Sequence, residues 1–116
     1  MSRIMLIEDD AFVREDLRAE LIGAGHDVDV HSGGHTALKS ILSDPPNLII
    51  TDIVMEEGEG MDLISKTRDC CPDVGVIAIS SNRDYLKYAS ALGAHHTLQK
   101  PLKPKQLLET IDTITG

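Results

Sequence analysis

Four short stretches carry residue types that could do chemistry: Glu8-Asp9-Asp10, Thr51-Asp52, Ser80-Ser81 and Lys100-Pro101. Taken singly, each has an ordinary use, since an acid caps a helix, an aspartate or serine serves a turn, and a lysine is solvated. One helix N-terminus needs one capping oxygen, however, and three successive acids exceed that need. Two carboxylates about 4 Å apart repel by roughly 4 kcal/mol at an effective dielectric of 20, before Asp52 joins them. Such a cluster calls for a cation, and oxygen donors that leave coordination places for water and phosphate suit magnesium. Asp52 directly follows an apolar run, several residues before the next helical pattern. It is therefore a poor N-cap for that helix and a better nucleophile. A carboxylate beside a bound cation can attack phosphorus to give an acyl phosphate. The Ser80 hydroxyl and the Lys100 ammonium would then meet two phosphoryl oxygens and leave the third to the metal. Ordinary surface acidity is the competing reading of the same residues.

These stretches meet only if the elements between them form a parallel sheet. Ile4–Ile7, Leu48–Ile50 and Val76–Ile79 have the length and branching of strands buried on both faces. Val28 and Val30 alternate with polar residues, and His95–Gln99 holds Leu98 among polar neighbours, so both read as half-wet edge strands. A first helix runs from about Asp10 with Val13, Leu17, Leu21 and Ala24 on one stripe, and stops at Gly23 to Gly25. A second covers Gly34 to Leu42, ended by Asp44-Pro45-Pro46. A third spans Gly60 to Cys71. A fourth is capped by Asn82, buries Leu86, Ala89 and Leu92 and ends at Gly93, and Lys103 to Ile114 makes the fifth. Five β-α units in the order 2-1-3-4-5 place all four reactive stretches at strand carboxyl ends, where open parallel sheets bind ligands.

The 116 residues suit one domain spanning 1–116, and with 3% aromatic content the core must be built from Ile, Leu, Val and Ala. A net charge of −8 disfavours direct nucleic-acid binding and anionic membranes. Cys70 and Cys71 are adjacent and cannot staple distant segments, which fits a reducing cytosol. No run has the form of a signal peptide or a membrane span. His26, His31, His35, His95 and His96 fall on expected loops or edges and read as surface residues.

LIEDD, TDIVM, AISS and LQKP, in this order along the whole chain, resemble the response-regulator receiver domains of bacterial two-component signalling. The resemblance implies a flavodoxin-like doubly wound (βα)5 fold with chemotaxis-regulator-like topology. It implies that Asp9 contacts Mg2+ directly and Glu8 through water, with Asp10 as helix cap. Asp52 becomes the phosphoacceptor, the Val54 backbone carbonyl a further metal ligand, Ser80 the switch hydroxyl and Lys100 the phosphate-binding lysine. The Lys100-Pro101 bond is expected to be cis. The implied role is a cytoplasmic signalling switch that can catalyse its own phosphorylation and dephosphorylation, and not an enzyme. Its implied partners are a histidine kinase or histidine phosphotransfer protein as donor, and an unknown target for the surface around the fourth helix, fifth strand and fifth helix.

The chain departs from the family pattern in several places. Thr97 stands where a switching aromatic is usual, Glu56 where a proline is common, and Leu102 where a phenylalanine follows Lys-Pro, while Ser80 to Gly93 is short. Glu56, Glu57 and Glu59 are expected to load negative charge beside the site and slow small anionic phosphodonors such as acetyl phosphate. Two other functions compete. An aspartate-nucleophile phosphohydrolase would place a second acid two residues after the nucleophile, where this chain has Val54, and would need a substrate pocket. A receiver-like binding module that takes no phosphate is suggested by Thr97 and the acidic loop, and magnesium dependence separates it from a working phosphoacceptor.

Overall fold

Alternation of apolar runs with helical stripes produces alternating strands and helices in the computed structural model, which describes residues 2–55 and 59–115. In chain order the elements are β1 (Arg3–Ile7), α1 (Ala11–Gly23), β2 (Asp27–His31), α2 (Gly34–Ser43) and β3 (Leu48–Asp52). They continue with α3 (Glu59–Cys70), β4 (Gly75–Ser80), α4 (Arg83–Ala91), β5 (His96–Gln99) and α5 (Pro104–Thr115). The five strands are parallel, in the order β2-β1-β3-β4-β5. The register sets Ile7 beside Thr51 and Asp52 beside Ile79, so the carboxyl ends of the three central strands lie side by side.

Side chains alternate across a sheet, and here both sets are apolar. Met5, Ile7, Ile49, Val76 and Ala78 enter one core with Ala37 and Ile41 of α2, Leu63 and Ile64 of α3, and Leu86 and Ala89 of α4. Ile4, Leu6, Leu48, Ile50, Ile77 and Ile79 enter the other with Leu17 and Leu21 of α1 and Leu107 and Ile111 of α5. β1, β3 and β4 are consequently buried on both faces. In β5 only Leu98 is buried, and β2 has no fully buried residue, as expected of edges.

Local capping chemistry sets the helix ends next to the site. The Asp10 carboxylate accepts from Phe12 N at 2.9 Å and Val13 N at 3.2 Å, and Asn82 Oδ1 accepts from Asp84 N and Tyr85 N. Asp10→Ala is expected to cost about 1 kcal/mol, the usual value of such a cap, measurable as a shifted urea midpoint with an unchanged slope. Two residues assigned to buried stripes are exposed instead. Ala24 is the C-cap of α1 and Leu92 that of α4, the latter 40% exposed. Each lies past the last full turn, where the chain turns toward Gly25 (φ 91°) or Gly93 (φ 113°) and the stripe no longer faces the sheet. Among the described residues no helix is long and apolar enough to cross a membrane.

Candidate functional site

The site begins with Glu8, the residue after β1. Its backbone N–H donates to His31 O at 3.0 Å, which continues the β1-β2 ladder and turns the side chain into the protein, where it is fully buried. Asp9 is exposed, and Asp10 is taken up in capping α1. Asp52 is the last residue of β3 and is itself buried, so it belongs to the strand end and not to the loop after it. Its Oδ1 accepts from Val54 N at 3.1 Å, and the buried Thr51 hydroxyl donates to the Asp52 carbonyl at 2.9 Å. The first bond restricts how the Asp52 carboxylate can turn, and the second holds its backbone carbonyl.

Lys100 reaches these acids from the end of β5. Its backbone N–H donates to Ser80 O at 2.8 Å, tying the ends of β4 and β5 together, and its peptide bond to Pro101 is cis. Nζ donates to Glu8 Oε1 at 2.5 Å and to Asp52 Oδ2 at 2.9 Å. Burial pushes the Glu8 carboxyl up to about 7, with Asp52 adding to the rise and Lys100 opposing it. For Lys100, burial disfavours the charge, but hydrogen bonds to Glu8 and Asp52 and their attraction outweigh it and raise the pKa. One ammonium therefore bridges two buried acids without fully compensating them.

One carboxylate oxygen from each of Glu8, Asp9 and Asp52 lies within 4.8 Å of the other two. Glu8 Oε2 is buried and has no hydrogen-bond partner among the described residues. A buried acceptor left without a donor is costly. Clustered hard oxygen donors with one acceptor unsatisfied fit a small divalent cation. Ser80 is buried at the end of β4, and its Oγ accepts from Asn82 N at 3.0 Å, so the hydroxyl proton is left for another acceptor.

Two features here were not read from the sequence. The Arg14 guanidinium donates to Glu8 O at 2.9 Å from the first turns of α1, a contact whose only sequence signal is a cation on the helix that follows an acid cluster. Glu59 was grouped with Glu56 and Glu57 as loop charge, yet it is the first residue of α3, and its Oε2 accepts from Gly34 N at 2.7 Å. Its charge is directed at a helix N-terminus. Glu56 and Glu57, on which the expectation of slow anionic donors also rests, lie outside the described residues. Four expected surface histidines sit at exposed or half-exposed positions as loops and edges require, and His95 is exposed although its Nδ1 accepts from Val76 N at 3.0 Å.

The family profile described as the response regulator receiver domain matches residues 4–112. The chain belongs to this family. Among curated relatives, the receiver domain is 31% identical over 110 residues to the DNA-binding transcriptional regulator NtrC of Rhizobium meliloti, covering 93% of this chain and 23% of NtrC. It is 30% identical over 108 residues to the response regulator MprA of Mycolicibacterium vanbaalenii, covering 91% of this chain and 47% of MprA. The chain thus spans less than half of the length of either relative. Among solved structures, a CheY-like receiver domain protein of Methanospirillum hungatei superposes with a TM-score of 0.91 at 24% identity, covering 97% of this chain and 92% of that one. The chemotaxis protein CheY4 of Vibrio cholerae gives 0.88 at 22% identity, covering 98% of both chains. At these identities the structural likeness establishes the fold of the receiver domain.

Proposed function

We propose that this receiver domain is a signalling switch that accepts a phosphoryl group on Asp52, with Mg2+ held by Glu8, Asp9, Asp52 and the Val54 carbonyl. The observation that carries this reading is the meeting of three acids at strand ends with the Lys100 ammonium bridging Glu8 and Asp52. Bound magnesium would supply the positive charge that lets an anionic phosphoryl group approach the acids. The donor is a histidine kinase or a histidine phosphotransfer protein. An Asp52 carboxylate oxygen attacks phosphorus, the donor's P–N bond breaks, and the imidazole leaves with the electron pair and takes a proton from solvent.

Val54 N holds one Asp52 oxygen in place during this step, while Lys100 moves its ammonium from Oδ2 onto a phosphoryl oxygen. The Ser80 hydroxyl donates its free proton to a second oxygen, which draws the β4-α4 junction inward and changes the surface of α4, β5 and α5 by a population shift. Hydrolysis of the acyl phosphate resets the switch. Beside Lys100 a groove of about 430 Å³ lined by Val13, Leu17 and Leu102, with Phe12 86% exposed nearby, gives a donor protein an apolar place to dock. A cytoplasmic setting, in which Cys70 and Cys71 stay reduced, suits this role.

The test is intact-mass analysis after incubation with Mg2+ and excess phosphoramidate or acetyl phosphate. The native chain is expected to gain one phosphoryl group and Asp52→Asn none. No adduct on the native chain, or an adduct that persists in Asp52→Asn, would sink the reading.

A further inference from the structure

Helix α2 begins without a cap of its own. Its N-cap residue is Gly33, which offers no side-chain acceptor, and the nearby Thr36 hydroxyl donates to Gly33 O and so satisfies a carbonyl, not an amide. The first amides of a helix need acceptors from elsewhere. One comes from the neighbouring helix, where Glu59 Oε2 accepts from Gly34 N at 2.7 Å, placing a carboxylate at the positive end of the α2 dipole.

Both glycines leave close room for this seat, Gly34 against the start of the Glu59 side chain and its backbone. A Cβ added at Gly33 would stand 2.9 Å from Glu59 Oε2, and one at Gly34 would stand 3.0 Å from Glu59 Cβ and 3.1 Å from Glu59 O. The next residue makes an equally close approach on the other side. A Cβ at Gly60 would come 2.5 Å from the carbonyl oxygens of Asp52 and Ile53 and 2.7 Å from Ile53 Cα, backbone atoms that cannot yield. Consecutive residues at the start of α3 thus dock on α2 and on the backbone of Asp52 at the same time.

We propose that Glu59 is a positioning residue for the Asp52 site: by fastening the start of α3 to the N-terminus of α2, it holds Gly60 against Asp52 and Ile53. This sets the backbone from which Val54 N grips the Asp52 carboxylate and the Val54 carbonyl faces a metal. The inference rests on the phosphoacceptor reading above and extends it to a residue that touches neither metal nor phosphate. It also assigns Glu59 a role opposite to that of a repelling loop charge, because its carboxylate is spent on an amide donor.

The test uses the full chain with Glu59→Ala, Glu59→Gln and Gly34→Ala, and follows two readouts besides phosphorylation: hydrogen exchange of the Gly34 amide and the dissociation constant for Mg2+ from amide chemical shifts. Glu59→Ala is expected to speed Gly34 exchange and to weaken magnesium binding by about tenfold, the low end for groups that orient metal ligands. Glu59→Gln keeps an oxygen acceptor and is expected to stay within about threefold of the native affinity, since a neutral hydrogen bond is weaker but still made. Gly34→Ala introduces a better helix former yet crowds Glu59, so magnesium binding should weaken although helix propensity improves. If Glu59→Ala fails to fold, Gly34→Ala decides alone.

Native magnesium affinity in Gly34→Ala, or in Glu59→Ala with Gly34 exchange accelerated, would reduce Glu59 to a local cap and overturn the inference. Glu59→Gln binding as weakly as Glu59→Ala overturns it as well. A native chain that forms the Asp52 adduct while the variants bind magnesium normally defeats only the positioning role. A native chain without the adduct defeats the phosphoacceptor reading beneath it.

Discussion

Lys100→Met should destabilise the metal-free domain by about 3 kcal/mol at pH 7, the low end for removing one partner of a buried ion pair. The Glu8 side chain is fully buried and that of Asp52 is 7% exposed, so neither can recover the lost bond from water. Methionine keeps the apolar stem of lysine and isolates the charge. The low end applies because Glu8, already raised to about 7, can take up a proton once the ammonium is gone. In an Asp52→Asn background the same change should cost less, since one carboxylate then remains, and the difference measures their coupling. Added Mg2+ should restore much of the loss by binding only the folded state. Urea denaturation in chelator and in magnesium checks both points; a loss below about 1 kcal/mol would mean the bridge behaves as an exposed surface pair.

The same buried acid makes metal-free stability depend on pH in a defined direction. Glu8 is raised from 4.5 to about 7, so between those values the folded chain keeps a proton that the unfolded chain has released. Stability falls with rising pH wherever the folded state binds more protons. The contribution is complete below about 4.5, declines up to about 7 and is absent above that. At about 1.4 kcal/mol per pKa unit it amounts to roughly 3 kcal/mol. Other carboxylates titrate over part of this range, so the informative quantity is the native chain minus Glu8→Gln in chelator. That difference should favour the native chain at pH 4.5 and move against it by about 3 kcal/mol by pH 8. Parallel curves would show that Glu8 ionises normally. Lys100 does not confuse the result, because its raised pKa affects stability only above the usual lysine range.

What the sequence revealed was governed by whether the cause was local or could be inferred from charge. Asp10 and Asn82 cap amides two and three residues away, so their roles follow from order along the chain. The sheet order follows from which runs are apolar throughout and which alternate. The sequence brings Lys100 to the acid cluster from a strand end, and the fold shows its ammonium already bridging Glu8 and Asp52. Ala24 and Leu92 fit the periodic stripe yet lie outside it in the fold, because periodicity does not reveal where the helix stops. The sequence does not reveal the role of Glu59 because its partner, Gly34, is 25 residues away and becomes visible only when α2 and α3 pack. A glycine pair with no cap and an acid with no local use were each unremarkable until brought together.

The ammonium that bridges Glu8 and Asp52 is 92 residues beyond the first and 48 beyond the second. During synthesis the ribosome therefore releases both acids well before their counter-charge exists. A nascent chain that closed β1 onto β3 too early would bury two carboxylates with nothing to balance them, so the partial sheet is discouraged from settling. Arrival of β5 removes that penalty and completes the charge cluster in a single event. Closure of the charge cluster thereby coincides with completion of the sheet, and a truncated product ending before Lys100 would carry Asp52 yet lack the cation that bridges it to Glu8.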